Sequence, residues 1–236
     1  MVIRDSKTFA LAQFIDDALI NILCERTDLR AFIDFLSTFG SVLVFGGFVR
    51  DCIHNCVHGR EQDYRDLDLV INGTFASNKQ ASKNHFGGYR RFFSDGLKVD
   101  FWELSQTYAF RVSLFAPSLS NLPLTTVYSI NACAFELQTK RLYEHTAVES
   151  IQQRTIRFNC KKYLNLFPLY QAFRGIDFAN RLGYSLDPDV EGFIRSTLST
   201  ASCSEFVDAV KQHRNDQSAD QLEHLYYTYS ARVRVV

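Results

Sequence analysis

Residues 41–51 read SVLVFGGFVRD, and further along the chain residues 65–73 read RDLDLVING. The apolar run 41–45 predicts a short buried strand that leads into Gly46 and Gly47, and the pattern that follows predicts a helix. Residues 65–73 predict a second strand, which an Asn-Gly turn closes. The order strand, Gly-Gly, helix, strand therefore predicts a sheet domain with a glycine turn beside its second strand.

Three acidic residues lie on the predicted strands. Side chains alternate along a strand, so Asp66 and Asp68 share one face, and Asp100 lies in a later strand where Val99 and Phe101 face the other side. Neighbouring carboxylates repel each other unless a divalent cation neutralises them, and Mg²⁺ prefers such oxygen ligands. We therefore predict that Asp66, Asp68 and Asp100 are the catalytic residues and bind two metal ions.

The glycine pair has a predicted role beside these acids. Without side chains, Gly46 and Gly47 allow the backbone to approach a phosphate, and the dipole of the following helix favours an anion. Arg50, one turn into that helix, is a candidate phosphate contact. In the hairpin of YRRFF and LKVDFWEL, alternation puts only one of Arg90 and Arg91 on the site's face, and we assign Arg91.

Length and composition indicate one globular protein. The 236 residues are 46% hydrophobic and 22% charged, and 26 basic residues balance 26 acidic ones. This balance disfavours non-specific binding of nucleic acid, which requires a basic surface. No apolar window is long enough for a membrane span. The six cysteines lie among apolar neighbours, as expected of buried thiols in a reducing cytoplasm.

The order of the predicted elements defines the fold class. Amphipathic helices over residues 8–24 and 28–39 precede the strands, and helices dominate after about residue 145. We predict an α+β fold with a mixed sheet and flanking helices. The predicted domains are residues 1–150, with the sheet and the N-terminal helices, and residues 151–236, which are helical.

A second cluster of metal-ligating residue types has an ordinary explanation. Cys52, His54, Cys56 and His58 fall on a predicted helix, where they form two pairs on different sides. Four ligands on such a helix do not converge on one ion, so packing of the cysteines is favoured over a zinc site.

The complete pattern resembles the poly(A) polymerase head-domain family, which includes the CCA-adding tRNA nucleotidyltransferases. The matching stretches are Gly46-Gly47-Phe48-Val49-Arg50-Asp51, Gly59-Arg60, Asp66-Leu67-Asp68-Leu69, Ser129-Ile130-Asn131-Ala132, Arg157, the helix from Arg174 to Tyr184, and Leu186-Asp187-Pro188. The resemblance is dense near residues 44–70 and 174–188.

This resemblance implies a palm-like nucleotidyltransferase sheet joined to a helical neck. It also implies a nucleoside triphosphate donor, two Mg²⁺ ions and pyrophosphate as leaving group. By position, Asp66 and Asp68 match the metal ligands, while Gly46, Gly47 and Arg50 match the triphosphate cradle. Asn131 lies in a further matching motif and is a candidate nucleotide contact. The implied acceptor is an RNA 3′ end, tRNA being one candidate.

Departures from the family narrow the expected function. The family's Arg-Arg-Asp is replaced by Thr125-Thr126-Val127, and its base-reading Glu-Asp-x-x-Arg falls on Phe167, Pro168 and Gln171. Phenylalanine and proline side chains offer no hydrogen bonds to a base edge. The sequence also ends soon after the neck-like helices. We therefore do not expect a templated, housekeeping CCA-adding enzyme.

Two other functions are consistent with the same residues. In one, the acceptor hydroxyl belongs to a protein or a small molecule. In the other, the chain is a catalytically silent module that binds nucleotide. The second is disfavoured because a silent protein has no physical need to keep repelling acids together. Separately, Lys161, Lys162 and the tyrosines at 226, 227 and 229, near Arg232 and Arg234, are candidate RNA contacts.

Overall fold

The computed structural model describes residues 6–59, 66–75, 82–83, 87–214 and 217–231. Arg60 of the second matching stretch lies outside these ranges, as do Arg232 and Arg234. The described residues divide between two compact units. The first unit is Met1–Thr126 with Ile130–Gln152, and the second is Val127–Ser129 with Gln153–Val236.

The first unit is built around a mixed sheet. Within the described residues, seven strands form this sheet in the order β3-β4-β5-β2-β1-β6-β7. The strands are β1 (Gly40–Phe45), β2 (Asp66–Gly73), β3 (Ser82–Lys83), β4 (Tyr89–Phe92), β5 (Lys98–Glu103), β6 (Cys133–Glu136) and β7 (Arg141–Glu144). The helices of this unit are α1 (Ser6–Glu25), α2 (Thr27–Ser37), α3 (Gly47–His58), α4 (Tyr108–Arg111) and α5 (Ala147–Gln152), with short 3-10 turns at Leu104–Gln106 and Pro123–Thr125.

Strand pairing brings the predicted acidic strands side by side. β2 pairs antiparallel with β1 and parallel with β5, and β5 pairs antiparallel with β4 across the predicted hairpin. Along β2, Leu67 and Leu69 are buried whereas Asp66 and Asp68 are not, as period-two alternation predicts. The predicted strands and hairpin are therefore confirmed, together with the α+β class.

The two faces of the sheet are covered differently. On one face, Phe32 of α2 packs edge-on against Phe93 and Phe101, at centroid distances of 5.9 and 5.1 Å. On the face that carries the acids, the far end is apolar. There a cluster forms from Leu43, Val70, Leu104, Phe110, Leu122 and Ala134. This apolar cluster covers only part of that face, and Asp66 and Asp68 lie at the opposite end of β2.

The second unit is mostly helical. Its helices are α6 (Pro168–Leu182), α7 (Pro188–Ser199), α8 (Cys203–Lys211) and α9 (Ala219–Ala231), and a parallel pair, β8 (Thr155–Ile156) and β9 (Ser185–Leu186), precedes and interrupts them. Helix α6 ends at Gly183, whose φ of +67° suits a glycine C-cap. Helix α8 begins with a capping box in which Ser202 and Glu205 satisfy each other's backbone amides.

The stretch 127–137 forms a strand over only part of its length. Residues 127–137 alternate as a strand would, yet Ser129–Asn131 forms a 3-10 turn and β6 spans only Cys133–Glu136. Both flanks are buried, so tertiary packing rather than local pattern determines the backbone here. In the described part of the chain, no helix combines the length and apolar character needed to cross a bilayer.

Candidate active site

The three predicted acids lie on adjacent strands of the first unit. Asp68 is the register partner of Asp100 across the β2–β5 pair, and Asp66 precedes Asp68 on the same side of β2. Register partners on neighbouring strands project to the same face and lie about 5 Å apart. The fold therefore brings Asp66, Asp68 and Asp100 together on one surface.

Two basic residues accompany these acids. Arg90, the register partner of Asp100, donates from Nε and Nη2 to its two carboxylate oxygens at 2.7 and 2.8 Å. Lys98, opposite Asp66, places Nζ 2.7 Å from Asp66 Oδ2. The pKa of Arg90 is raised, mainly by its hydrogen bond to Asp100, while burial opposes that rise and the charges of Asp68 and Asp66 add to it. All three acids therefore act on this guanidinium.

The three acids offer the ligand type of a magnesium site. Their donors are carboxylate oxygens on one sheet face, the ligand type that Mg²⁺ prefers. In the side-chain arrangement of the described residues, however, no group of three His, Cys, Asp or Glu side chains is set to hold an ion. Two of the acids pair instead with cationic side chains, Asp66 with Lys98 and Asp100 with Arg90. A metal that used these oxygens would have to displace those cations.

The glycine turn begins beside the acids. Phe45 at the end of β1 is the register partner of Asp68, so Gly46 follows directly next to that part of β2. The amide of Gly46 donates to the Cys133 carbonyl at 2.9 Å, and its φ of +66° with ψ of −110° is a conformation open mainly to glycine. Gly46 then caps the 12-residue helix α3, whose positive dipole end lies at this turn.

Alanine substitutions are expected to affect stability differently at Gly46 and at Gly47. A Cβ at Gly46 would meet no atom within 4 Å but would hold the residue at positive φ, which costs about 1–3 kcal/mol. A Cβ at Gly47 would meet only Arg50 Nη2, at 3.8 Å, in an ordinary helical conformation. We expect Gly46→Ala to lower the free energy of unfolding in urea titrations and Gly47→Ala to leave it nearly unchanged. Equal losses in both variants would contradict this explanation.

Arg50 lies in a buried hydrogen-bonded group rather than at the surface. Its Nε and Nη2 each donate to Asp51 at 2.8 Å, and Nη1 donates to Asn131 Oδ1 at 2.7 Å. All three residues are at most 7% exposed. Burial lowers the pKa of Arg50, but the Asp51 charge and hydrogen bond, with smaller contributions from Cys133 and Asp66, leave it raised. The structure thus brings Arg50 and Asn131 together behind the glycine turn.

The assignment of Arg91 to the site's face is corrected by the structure. Arg91 pairs with Val99, and its guanidinium lies 4.6 Å from the ring centre of Phe32 and 4.9 Å from that of Phe93, on the helix-covered face. Arg90 occupies the acidic face instead. Counting back from the turn through the hairpin register would have identified Arg90, because this register places it opposite Asp100.

Comparisons with known proteins identify the fold. No protein-family model matches the chain, and no curated protein matches it in sequence. A CCA-adding enzyme in complex with ATP is similar in structure, with a TM-score of 0.59 and 18% identity over 90% of this chain and 55% of that chain. The Thermotoga maritima CCA-adding enzyme bound to tRNA gives 0.58 and 18% over 90% and 53%.

A third structure agrees with these two. A tRNA nucleotidyltransferase with a primer tRNA and an incoming ATP analogue gives a TM-score of 0.56 and 17% identity, covering 83% of this chain and 59% of that one. The present chain thus spans little more than half the length of these proteins. At such identities the similarity shows that this chain has the fold of CCA-adding nucleotidyltransferases, as the sequence resemblance implied.

Proposed function

We propose that this chain transfers a nucleoside monophosphate from a nucleoside triphosphate to an acceptor hydroxyl, releasing pyrophosphate. The observation that carries the proposal is the convergence of Asp66, Asp68 and Asp100 on one sheet face, next to a glycine turn at a helix N-terminus. Structures of this fold contain ATP or CTP, in agreement with a triphosphate donor. Nothing in that arrangement requires a covalent enzyme intermediate.

Each residue has a role in the proposed reaction. Asp66, Asp68 and Asp100 would hold two Mg²⁺ ions, and these supply charge stabilisation for the attacking and leaving oxygens. The turn at Gly46 and Gly47 binds the triphosphate through backbone amides and the helix dipole. The acceptor oxygen forms a bond to the α-phosphorus as the bond to the β-phosphate oxygen breaks. Asp100 accepts the hydroxyl proton and passes it to solvent.

Arg50 and Asn131 receive a supporting role in this proposal. A guanidinium that is 4% exposed and donates to Asp51 and Asn131 is committed to holding the start of α3. Its Nη2 lies 3.8 Å from the position of a Cβ on Gly47, directly beneath the turn. We infer that Arg50 fixes the shape of the cradle while the backbone of the turn contacts phosphate.

The proposed acceptor is an RNA 3′ end. Two of the similar structures contain tRNA, and this fold is therefore compatible with a terminal RNA hydroxyl as nucleophile. The residues at the family's base-reading positions do not match that function. Gln171 is buried and Pro168 starts α6, while Phe167 contacts the His213 ring at 5.0 Å. We propose transfer without ordered addition of CCA.

A labelling experiment tests the function and the acceptor together. The purified protein is incubated with Mg²⁺, each α-labelled nucleoside triphosphate, total RNA and a protein extract, then resolved on gels after nuclease or protease treatment. We expect nuclease-sensitive label that is absent with Asp66→Asn/Asp68→Asn. Label that is removed by protease instead would show that the acceptor is a protein and not RNA. Triphosphate binding with no labelled product would favour the silent regulatory module.

A further inference from the structure

Two basic side chains of the first unit pair with two of the proposed metal ligands. Arg90 holds both oxygens of Asp100 at 2.7 and 2.8 Å, and Lys98 lies 2.7 Å from one oxygen of Asp66. A guanidinium that binds a carboxylate with two parallel hydrogen bonds uses the oxygens that a chelated cation would use. Arg90 and a divalent ion therefore compete for Asp100, since each prefers the same carboxylate.

The Arg90–Asp100 pair differs from the buried Arg50–Asp51 pair of the same unit. Arg50 is 4% exposed, so releasing it from Asp51 would strand a buried charge. The Arg90 side chain is 36% exposed while that of Asp100 is 13% exposed. Arg90 can therefore leave Asp100 and remain solvated, but Asp100 needs a replacement cation. An exchange of counter-ions satisfies both requirements.

We propose that Arg90 is an exchangeable counter-ion of Asp100. A divalent cation displaces Arg90 from Asp100, and the released guanidinium then binds the triphosphate. The inference rests on the proposed function and adds to it a residue and an order of events. The displaced guanidinium stays anchored to β4 on the acidic face, because its strand position does not change. Its planar fork suits phosphate oxygens as well as it suits a carboxylate.

The exchange makes an unusual prediction about one substitution. Without Arg90, Asp100 has no internal cation to lose, so a divalent ion binds more tightly on its own. The triphosphate, however, loses a positively charged contact and binds more weakly. An arginine that contributed only packing to the strand pair would not shift the two affinities in opposite directions. A fixed charge at the same place would, so the release of the guanidinium itself is followed as a second readout.

Metal and nucleotide affinities are measured separately on the whole protein. Free Mn²⁺ is titrated by electron paramagnetic resonance without nucleotide, and a non-hydrolysable fluorescent ATP analogue is titrated with saturating Mg²⁺. For Arg90→Ala we expect the Kd of Mn²⁺ to fall about fivefold, the size of a partly exposed ion pair, and the Kd of the analogue to rise about tenfold. Arg91→Ala, the neighbouring arginine on the other face, is the matched control and should change neither value.

Further variants keep the test decisive. Arg90→Lys retains the charge without the fork, so it should give Mn²⁺ affinity between wild type and Arg90→Ala. Whether or not Arg90→Ala folds, the side-chain Nε–H signal of Arg90 in the wild type is followed by NMR as Mg²⁺ is added. We expect that signal to move to the position of a solvated arginine. A signal that stays unchanged at saturating Mg²⁺ overturns the exchange.

Failure of the exchange is distinguishable from failure of the proposed function. Unchanged or weaker Mn²⁺ binding in Arg90→Ala, with nucleotide transfer intact in the wild type, overturns the exchange alone. Mn²⁺ binding that is undetectable in the wild type and in Arg90→Ala overturns the exchange, and it overturns the proposed function as well if the wild type also transfers no nucleotide. As a control, we expect Mn²⁺ to bind the wild type and not Asp66→Asn/Asp68→Asn, which would locate the measured binding at these acids.

Discussion

Replacing Asp68 by asparagine is expected to slow the proposed nucleotide transfer about a thousandfold while the protein stays folded. Asp68 lies between Asp66 on its own strand and Asp100 on the next, so it would be the central ligand of the proposed metal ions. Charge stabilisation worth about 4 kcal/mol corresponds to such a loss in rate. Single-turnover rates with α-labelled triphosphate measure it, because they exclude product release.

The same substitution elsewhere in the first unit is the matched control. Asp95 lies in the turn of the β4–β5 hairpin, where it pairs with Arg26 and accepts a hydrogen bond from the Leu97 amide. Asparagine is tolerated in such turns, so Asp95→Asn should keep nearly full activity. A thousandfold loss in both variants would point to damaged folding, and a loss below about tenfold in Asp68→Asn would rule out a metal ligand.

The acidic surface was predictable because strand alternation is a local property. Asp66 and Asp68 must share a face once residues 65–73 form a strand, and the buried Leu67 and Leu69 confirm that they do. The partner strand was not predictable in the same way. Parallel pairing of β2 with β5 joins segments distant in sequence, and the register of Asp68 with Asp100 follows from the whole sheet.

Three arginines illustrate what motif matching and strand alternation alone leave undetermined. The motif match indicates that Arg50 is a basic residue near a phosphate. It does not predict that Arg50 is buried and hydrogen-bonded to Asp51 and Asn131. Arg90 and Arg91 differ only by which face of β4 they occupy, and that depends on hairpin register. Charged groups acquire their roles from partners in space, which local periodicity does not specify.

The contrast between Arg50 and Arg90 has a physical basis that bears on both proposals. Each forms two hydrogen bonds to an aspartate, yet one pair is buried and the other lies partly in solvent. Dissociation of Arg90 from Asp100 costs little free energy because the guanidinium is solvated. Dissociation of Arg50 from Asp51 costs much more because it leaves a buried charge without a partner. A site that must exchange cations needs a partly exposed pair such as Arg90–Asp100, and a turn that must keep its shape needs a buried pair such as Arg50–Asp51.

Removing Arg50 is accordingly expected to destabilise the first unit severely. Arg50→Met keeps much of the side-chain volume but leaves the Asp51 carboxylate, itself 4% exposed, without its cation. Breaking a buried pair in this way costs about 3–5 kcal/mol. For a protein of this size, we expect the temperature of the unfolding transition to fall by about 10 °C. Calorimetry of the purified variant measures this shift.

Two further variants separate the buried charge from lost packing. Arg50→Met/Asp51→Leu removes both charges, so it should recover at least half of the loss, the remainder being the Asn131 oxygen that Arg50 no longer satisfies. Arg91→Met removes an arginine that lies over aromatic rings and should cost about 1 kcal/mol. A loss in Arg50→Met no larger than that in Arg91→Met would show that the group behind the glycine turn does not hold the fold. Arg50 would then be available for the triphosphate contact that its position in the motif implies.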